Sequence, residues 1–140
     1  MAKKRDKPSM AKDLYISPLF KNSLAYAYSL KPDKIFILSA LHHLLELDKV
    51  IEPYNVTLSN IPKSKRGEGL KVLTSEEKME WGKRVIDQLS KHADLKNDQF
   101  IILAGQEYIK PLMSYIKNID NRLKGLPLGE RVKFLKNQVT

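Results

Sequence analysis

Two short polar stretches hold the side chains best suited to chemistry. Ser39-Ala40-Leu41-His42-His43 follows the apolar run Ile35-Phe36-Ile37-Leu38. Gly105-Gln106-Glu107-Tyr108 follows the run Phe100-Ile101-Ile102-Leu103. An imidazole titrates near neutral pH, so His42 or His43 can serve as a general acid or base. Two adjacent histidines point to different faces of a turn, so at most one joins a given site; a partly buried structural histidine has the same signature. His42 and Glu107 are the candidate catalytic groups. Glu107 stands where a helix begins, and a carboxylate is favoured there by the helix dipole whatever the function. Gly105 lets backbone approach a ligand or take a positive φ, and the amides that follow it suit an anion. Ser39 and Tyr108 complete the lining of this pocket. Tyr54, after Pro53, can stack on a base or close the core. Lys3 and Lys4 are candidate phosphate ligands, and Ser17 joins the candidate ligand-binding set.

Other chemistries lack their residues. The chain has no cysteine and three histidines, with His92 at a distant helix end, so a metal centre falls short of ligands. Neither GxxxxGK[ST] nor GxGxxG occurs, and there is no GxSxG elbow. No cofactor is expected. Against 16 acidic residues stand 25 lysines and arginines, a net charge of +9, which favours phosphate-rich partners. A lysine-coated surface serving solubility gives the same total. No apolar run approaches the roughly 18 residues of a membrane span, and the basic N-terminus lacks the apolar core of a signal peptide, so the expected location is the cytoplasm without a membrane partner.

The positioning elements are legible in outline. Ser17-Pro18 is a serine cap followed by proline in the first turn, and the helix it opens closes before Lys31-Pro32. The two apolar runs read as strands covered on both faces. Residues 41–47 read as a short helix or helical turn, and 50–58 as extended or irregular. Residues 1–13 read as a basic loop or tail, and 60–71 as a flexible basic loop. Thr74 and Glu77 form a capping box ahead of a helix bearing Trp81, Val85, Ile86 and Leu89. A turn at 94–98 precedes the second strand. The helix after it carries Tyr108, Ile109, Leu112, Met113 and Ile116, and Pro111 demands a kink or a late start. A last short helix begins near Leu128-Gly129.

Strands alternating with helices predict one α/β domain over residues 1–140, a small Rossmann-like three-layer fold with a mainly parallel sheet. Parallel strands would bring Ser39 and His42 to the same sheet edge as Gly105 and Glu107, where open α/β sheets bind ligands. Two strong strands are few, so an edge strand is expected from 14–16, from 56–58, or ahead of residue 1.

Several short motifs recur together across the chain: Leu14-Tyr15 with Ser17-Pro18-Leu19-Phe20, then Phe36-Ile37-Leu38-Ser39-Ala40 with Leu44-Leu45. Pro53-Tyr54 precedes Thr57-Leu58, Trp81 follows, Leu103-Ala104-Gly105 leads to Tyr108, and Gly125-Leu126 and Gly129 close the series. In this order they resemble an uncharacterised bacterial and phage domain family of unknown function. That family is distantly similar to YaaA-type proteins and to domains accompanying deazaguanine and transfer-RNA transglycosylase genes. The resemblance implies a Rossmann-like domain and leans toward nucleic acids or nucleobases. It also implies a first strand and a lysine-rich loop, of which Lys3-Lys4 matches the end, so that the first family strand is missing. It places glycine where His43 stands. An unpaired sheet edge would then be open to a second copy of the chain, hence a homo-oligomer.

The resulting expectation is an α/β domain that binds a nucleic acid or nucleotide and acts on an N-glycosidic bond or nucleobase. The alternative is a non-enzymatic nucleotide-binding or protein-interaction module.

Overall fold

The computed structural model describes residues 3–139. In chain order the elements are β1 (Ser9–Met10), α1 (Ala11–Leu14), α2 (Pro18–Ser29), β2 (Phe36–Ser39), β3 (His43–Glu46), β4 (Val50–Ile51), β5 (Val56–Thr57), β6 (Lys71–Val72), α3 (Ser75–Ser90), β7 (Phe100–Ile101), α4 (Gln106–Ile109), β8 (Ile119–Asp120) and α5 (Leu128–Val139). The chain forms two compact units. Described residues 3–37, 45–53 and 125–139 belong to the first, and 38–44 with 54–124 to the second.

In the first unit, β1 and β4 pair antiparallel, with Ser9 opposite Ile51 and Met10 opposite Val50. The Ala11 and Lys12 amides donate to the carbonyls of Lys49 and Leu47 at 2.8 and 2.9 Å. Lys4 bridges Tyr15. The basic segment 1–13, expected as a loop or tail, therefore carries regular structure from Ser9 onward and a bridge at Lys4. Ala11 and Leu14 are fully buried, and elements of two and four residues are too short to produce a readable periodicity. α2 begins as its sequence requires: Pro18 fills the first turn and the Ser17 hydroxyl accepts from the Phe20 amide at 3.2 Å. It ends at Ser29, and just beyond its cap Lys31 takes a φ of 51°. α2 packs on α5, with the Tyr26 and Phe134 rings edge to face at 6.3 Å.

The second unit is organised around α3. Its capping box is complete: the Glu77 amide donates to the Thr74 hydroxyl at 3.2 Å, and the Thr74 amide donates to the Glu77 carboxylate at 3.0 Å. One face of the helix brings Trp81, Val85 and Leu89 into a core with Ala40, Leu58, Leu112 and Ile116. Gly82 permits the close approach of Pro111: a Cβ at 82 would stand 2.7 Å from the Pro111 Cβ and 2.8 Å from its carbonyl oxygen.

Strands depart most from expectation. The fold is mixed α/β, but among the described residues four two-stranded sheets stand where one mainly parallel, three-layer Rossmann-like sheet was expected. β5 pairs parallel with β6, and β7 parallel with β8. The apolar run of β2 pairs with β3 rather than with β7. β3 replaces the helix expected over 41–47. The Ser39 hydroxyl accepts from the His42 amide at 3.0 Å, and the Leu44 amide donates to Gln88 Oε1 at 3.0 Å. These bonds satisfy the backbone in an extended course, the kind of local competition that defeats a helix. β2 also differs in cover: Ile37 and Ser39 are buried while Phe36 and Leu38 are half-buried. Val56–Thr57 is a strand as foreseen, whereas Leu14 closes α1. The helix after β7 lasts only to Ile109 before a 3-10 turn at Lys110–Leu112, because Pro111 has no amide to continue the ladder. Among the described residues no helix is long and apolar enough to cross a membrane.

Candidate functional site

The structure divides the expected site residues into three groups. Ser39, His42, Tyr54 and Tyr108 fall in one network of the second unit. Ser39 is fully buried. Its hydroxyl donates to the Tyr54 oxygen at 2.9 Å while accepting from the His42 amide. Its carbonyl accepts from the Trp81 indole nitrogen at 2.9 Å. The Trp81 ring meets Tyr108 edge to face at 5.8 Å, and the Tyr108 hydroxyl bonds that of Thr57 at 3.3 Å. His42 and Tyr54 stand edge to face at 5.5 Å. A buried polar group must be bonded to be tolerated, and this network satisfies Ser39, Thr57 and Trp81 internally. Ser39 thus fixes the β2–β3 turn and the tryptophan rather than facing a pocket. Trp81 is core, as its sequence context suggests; its polar link to Ser39 has no signature in the sequence.

Glu107 belongs to a different cluster of the same unit. Its two carboxylate oxygens accept from Lys78 and Lys110, each at 2.9 Å, and Lys78 also donates to Asn60 Oδ1 at 2.9 Å. The bond from Lys78, then that from Lys110, holds the Glu107 carboxyl below the usual carboxylate range. It stays ionised at neutral pH and is a weak base. The cluster borders a cleft of about 340 Å³ lined also by Ser75, Met79 and Pro111. Gly105 precedes α4 with φ −67°, a conformation open to any residue, so of the two roles expected for it, close backbone approach or a positive φ, the second is not adopted. The Lys110 partner was legible from its i, i+3 spacing to Glu107. Lys78, one basic residue among 25, was not.

The third group lies in the first unit. The Lys3 carbonyl accepts from the Ile16 amide at 2.8 Å. Lys4 places its ammonium 5.6 Å from the Tyr15 ring centre, and burial lowers its pKa. The Ser17 hydroxyl caps α2. Among the described residues, no group of three or more histidine, aspartate or glutamate side chains is arranged to hold a metal ion.

A model of a family of unknown function, DUF6884, matches residues 1–137, which span both compact units and all three groups. The chain belongs to this family. No curated protein and no solved structure matches it. In this DUF6884 chain, His43 occupies the position where the motif resemblance places glycine. Its φ is 63°, in the left-handed region that glycine enters without steric cost. Burial first, then the charges of Arg84 and His42, lower the His43 pKa.

Proposed function

We propose that this DUF6884 chain is a non-enzymatic binding module for a nucleotide or nucleic acid, and that the Glu107 cleft receives it. The observation that carries the reading is the pair of lysines converging on one ionised carboxylate at the edge of a 340 Å³ cleft. The Lys110 ammonium, on a largely exposed side chain, suits phosphate oxygens, and the Glu107 carboxylate accepts from sugar hydroxyls. Asn60 and Ser75 line the same cleft and add neutral donors and acceptors. The net charge of +9 favours the same partners at longer range. The distant similarity of the resembled family to YaaA-type and transglycosylase-associated proteins supports the same direction as analogy.

Binding ranks ahead of N-glycosidic or nucleobase chemistry on the same observation. A carboxylate kept ionised by two lysines is a poor proton donor to a leaving base. His42, the other candidate, turns its ring toward Tyr54. A thermal-shift screen with nucleobases, nucleotides, short RNA and short DNA tests the reading. A ligand at about 100 times its Kd adds roughly 2.7 kcal/mol of stability. The expected result is a shift with a nucleotide that is lost in Lys110→Ala. No shift with any of these ligands, or one unchanged in Lys110→Ala, overturns it.

A further inference from the structure

We infer that a separate groove in the first unit binds single-stranded nucleic acid, with Tyr28 as its stacking platform and Arg5 and Lys21 as its phosphate contacts. The inference does not rest on the Glu107 cleft, which uses other residues in the other unit.

The groove encloses about 460 Å³. One wall is a single face of α2: Phe20, Lys21, Leu24 and Tyr28 recur at spacings that align side chains along a helix. The opposite wall is the segment before it, with Arg5 and Tyr15. Phe20 lies against Tyr15, ring centres 4.8 Å apart and planes tilted by 34°, so the floor is aromatic and firmly backed. Tyr28 is 52% exposed although it is a large aromatic side chain on a well-packed helix.

The charges around this floor are mostly of one sign. Arg5, Lys12 and Lys21 line the groove against a single acidic residue, Asp13. Lys12 is paired with Asp48 at 3.4 Å. The side chains of Arg5 and Lys21 make no ion pair among the described residues. Unneutralised cations beside an exposed ring match a ligand that alternates phosphate and flat base. This is how proteins hold unpaired strands without reading their sequence.

The dimensions favour the same ligand. From Phe20 to Tyr28 the α2 face runs about 12 Å, the length of about three stacked nucleotides. A duplex keeps its base faces stacked on one another and offers Tyr28 nothing to stack on. An acidic peptide would satisfy Arg5 and Lys21 but would leave the ring without a planar partner.

Fluorescence anisotropy with a labelled strand of about eight nucleotides tests this, a length within the site size of one single-strand binding fold. Arg5, Lys21 and Tyr28 are all exposed, so their variants should keep the wild-type unfolding temperature, which serves as the control. Tyr28→Ala is expected to weaken binding about tenfold, and Tyr28→Phe to retain it. Arg5→Ala with Lys21→Ala should reduce the slope of log affinity on log salt by about 1.4, from two single-strand phosphate contacts. Tyr28→Ala should leave that slope unchanged. Wild-type affinity in Tyr28→Ala overturns the inference. So does duplex binding as tight as the single strand, or displacement of the strand by polyglutamate at equal charge. Loss of strand binding in Lys110→Ala with none in Tyr28→Ala would assign the strand to the Glu107 cleft and overturn the groove alone. A nucleotide shift lost in Lys110→Ala, beside strand binding lost in Tyr28→Ala, supports both sites separately.

Discussion

Glu107 is the residue on which pH should act most plainly. Lys78 and Lys110 depress its folded pKa, while the unfolded chain keeps a value of about 4.3. Folding is therefore stabilised by its ionised form above that pH, and the contribution is lost as pH falls through the lower folded value. Only 13% of the Lys78 side chain is exposed, so removing its counter-charge leaves a largely buried ammonium group less well compensated. Glu107→Gln is expected to cost about 2 kcal/mol at neutral pH. Denaturant unfolding should show that difference shrinking as pH drops below about 4. A gap that stays constant with pH would show that the ion pairs do not stabilise the fold. His43 offers a second test at this scale. A side chain with a Cβ at φ 63° carries a steric cost of about 1–2 kcal/mol. His43→Gly is therefore expected to raise stability by about 0.5 kcal/mol after the lost side-chain contacts and added chain entropy are set against that cost. The midpoint of a urea titration measures it.

Elements with strong local signals formed where their sequences placed them. α2 and α3 carry their caps within the sequence itself, Ser17-Pro18 and Thr74 with Glu77, and both helices begin there. α5 likewise begins at Leu128. Strands of two residues carry no comparable signal, since their partners supply most of what holds them. α3 also shows a constraint that helix propensity alone would misjudge. Alanine is the better helix former by about 1 kcal/mol, yet Gly82→Ala would drive a methyl into Pro111 backbone at 2.8 Å. The expected result is a net loss of about 1–3 kcal/mol, the range for overpacking a filled interior. A higher unfolding temperature in Gly82→Ala would show that α3 and the Pro111 turn can separate without cost.

At the scale of the whole molecule, the charge, the absence of cysteine and the mixed α/β character all follow from the residues in order, before any folding. Membership of a family of unknown function was legible too, and its model covers residues 1–137, although the activity that such a family carries is not. The candidate site was legible only in parts. Ser39, His42, Tyr54 and Tyr108 do gather, but through the buried Ser39 and the Trp81 side chain, whereas Glu107 turns to lysines instead. Tertiary structure alone decided which apolar run pairs with which. The run at 36–39 could have joined a parallel sheet with 100–103, but the short turn at Ser39–His42 returns the chain so that β3 is its neighbour. Helix ends are set by side chains within four residues of one another, so sequence by itself determines them. Strand pairing and the convergence of charges are set by residues tens of positions apart, and only the packed chain brings these together.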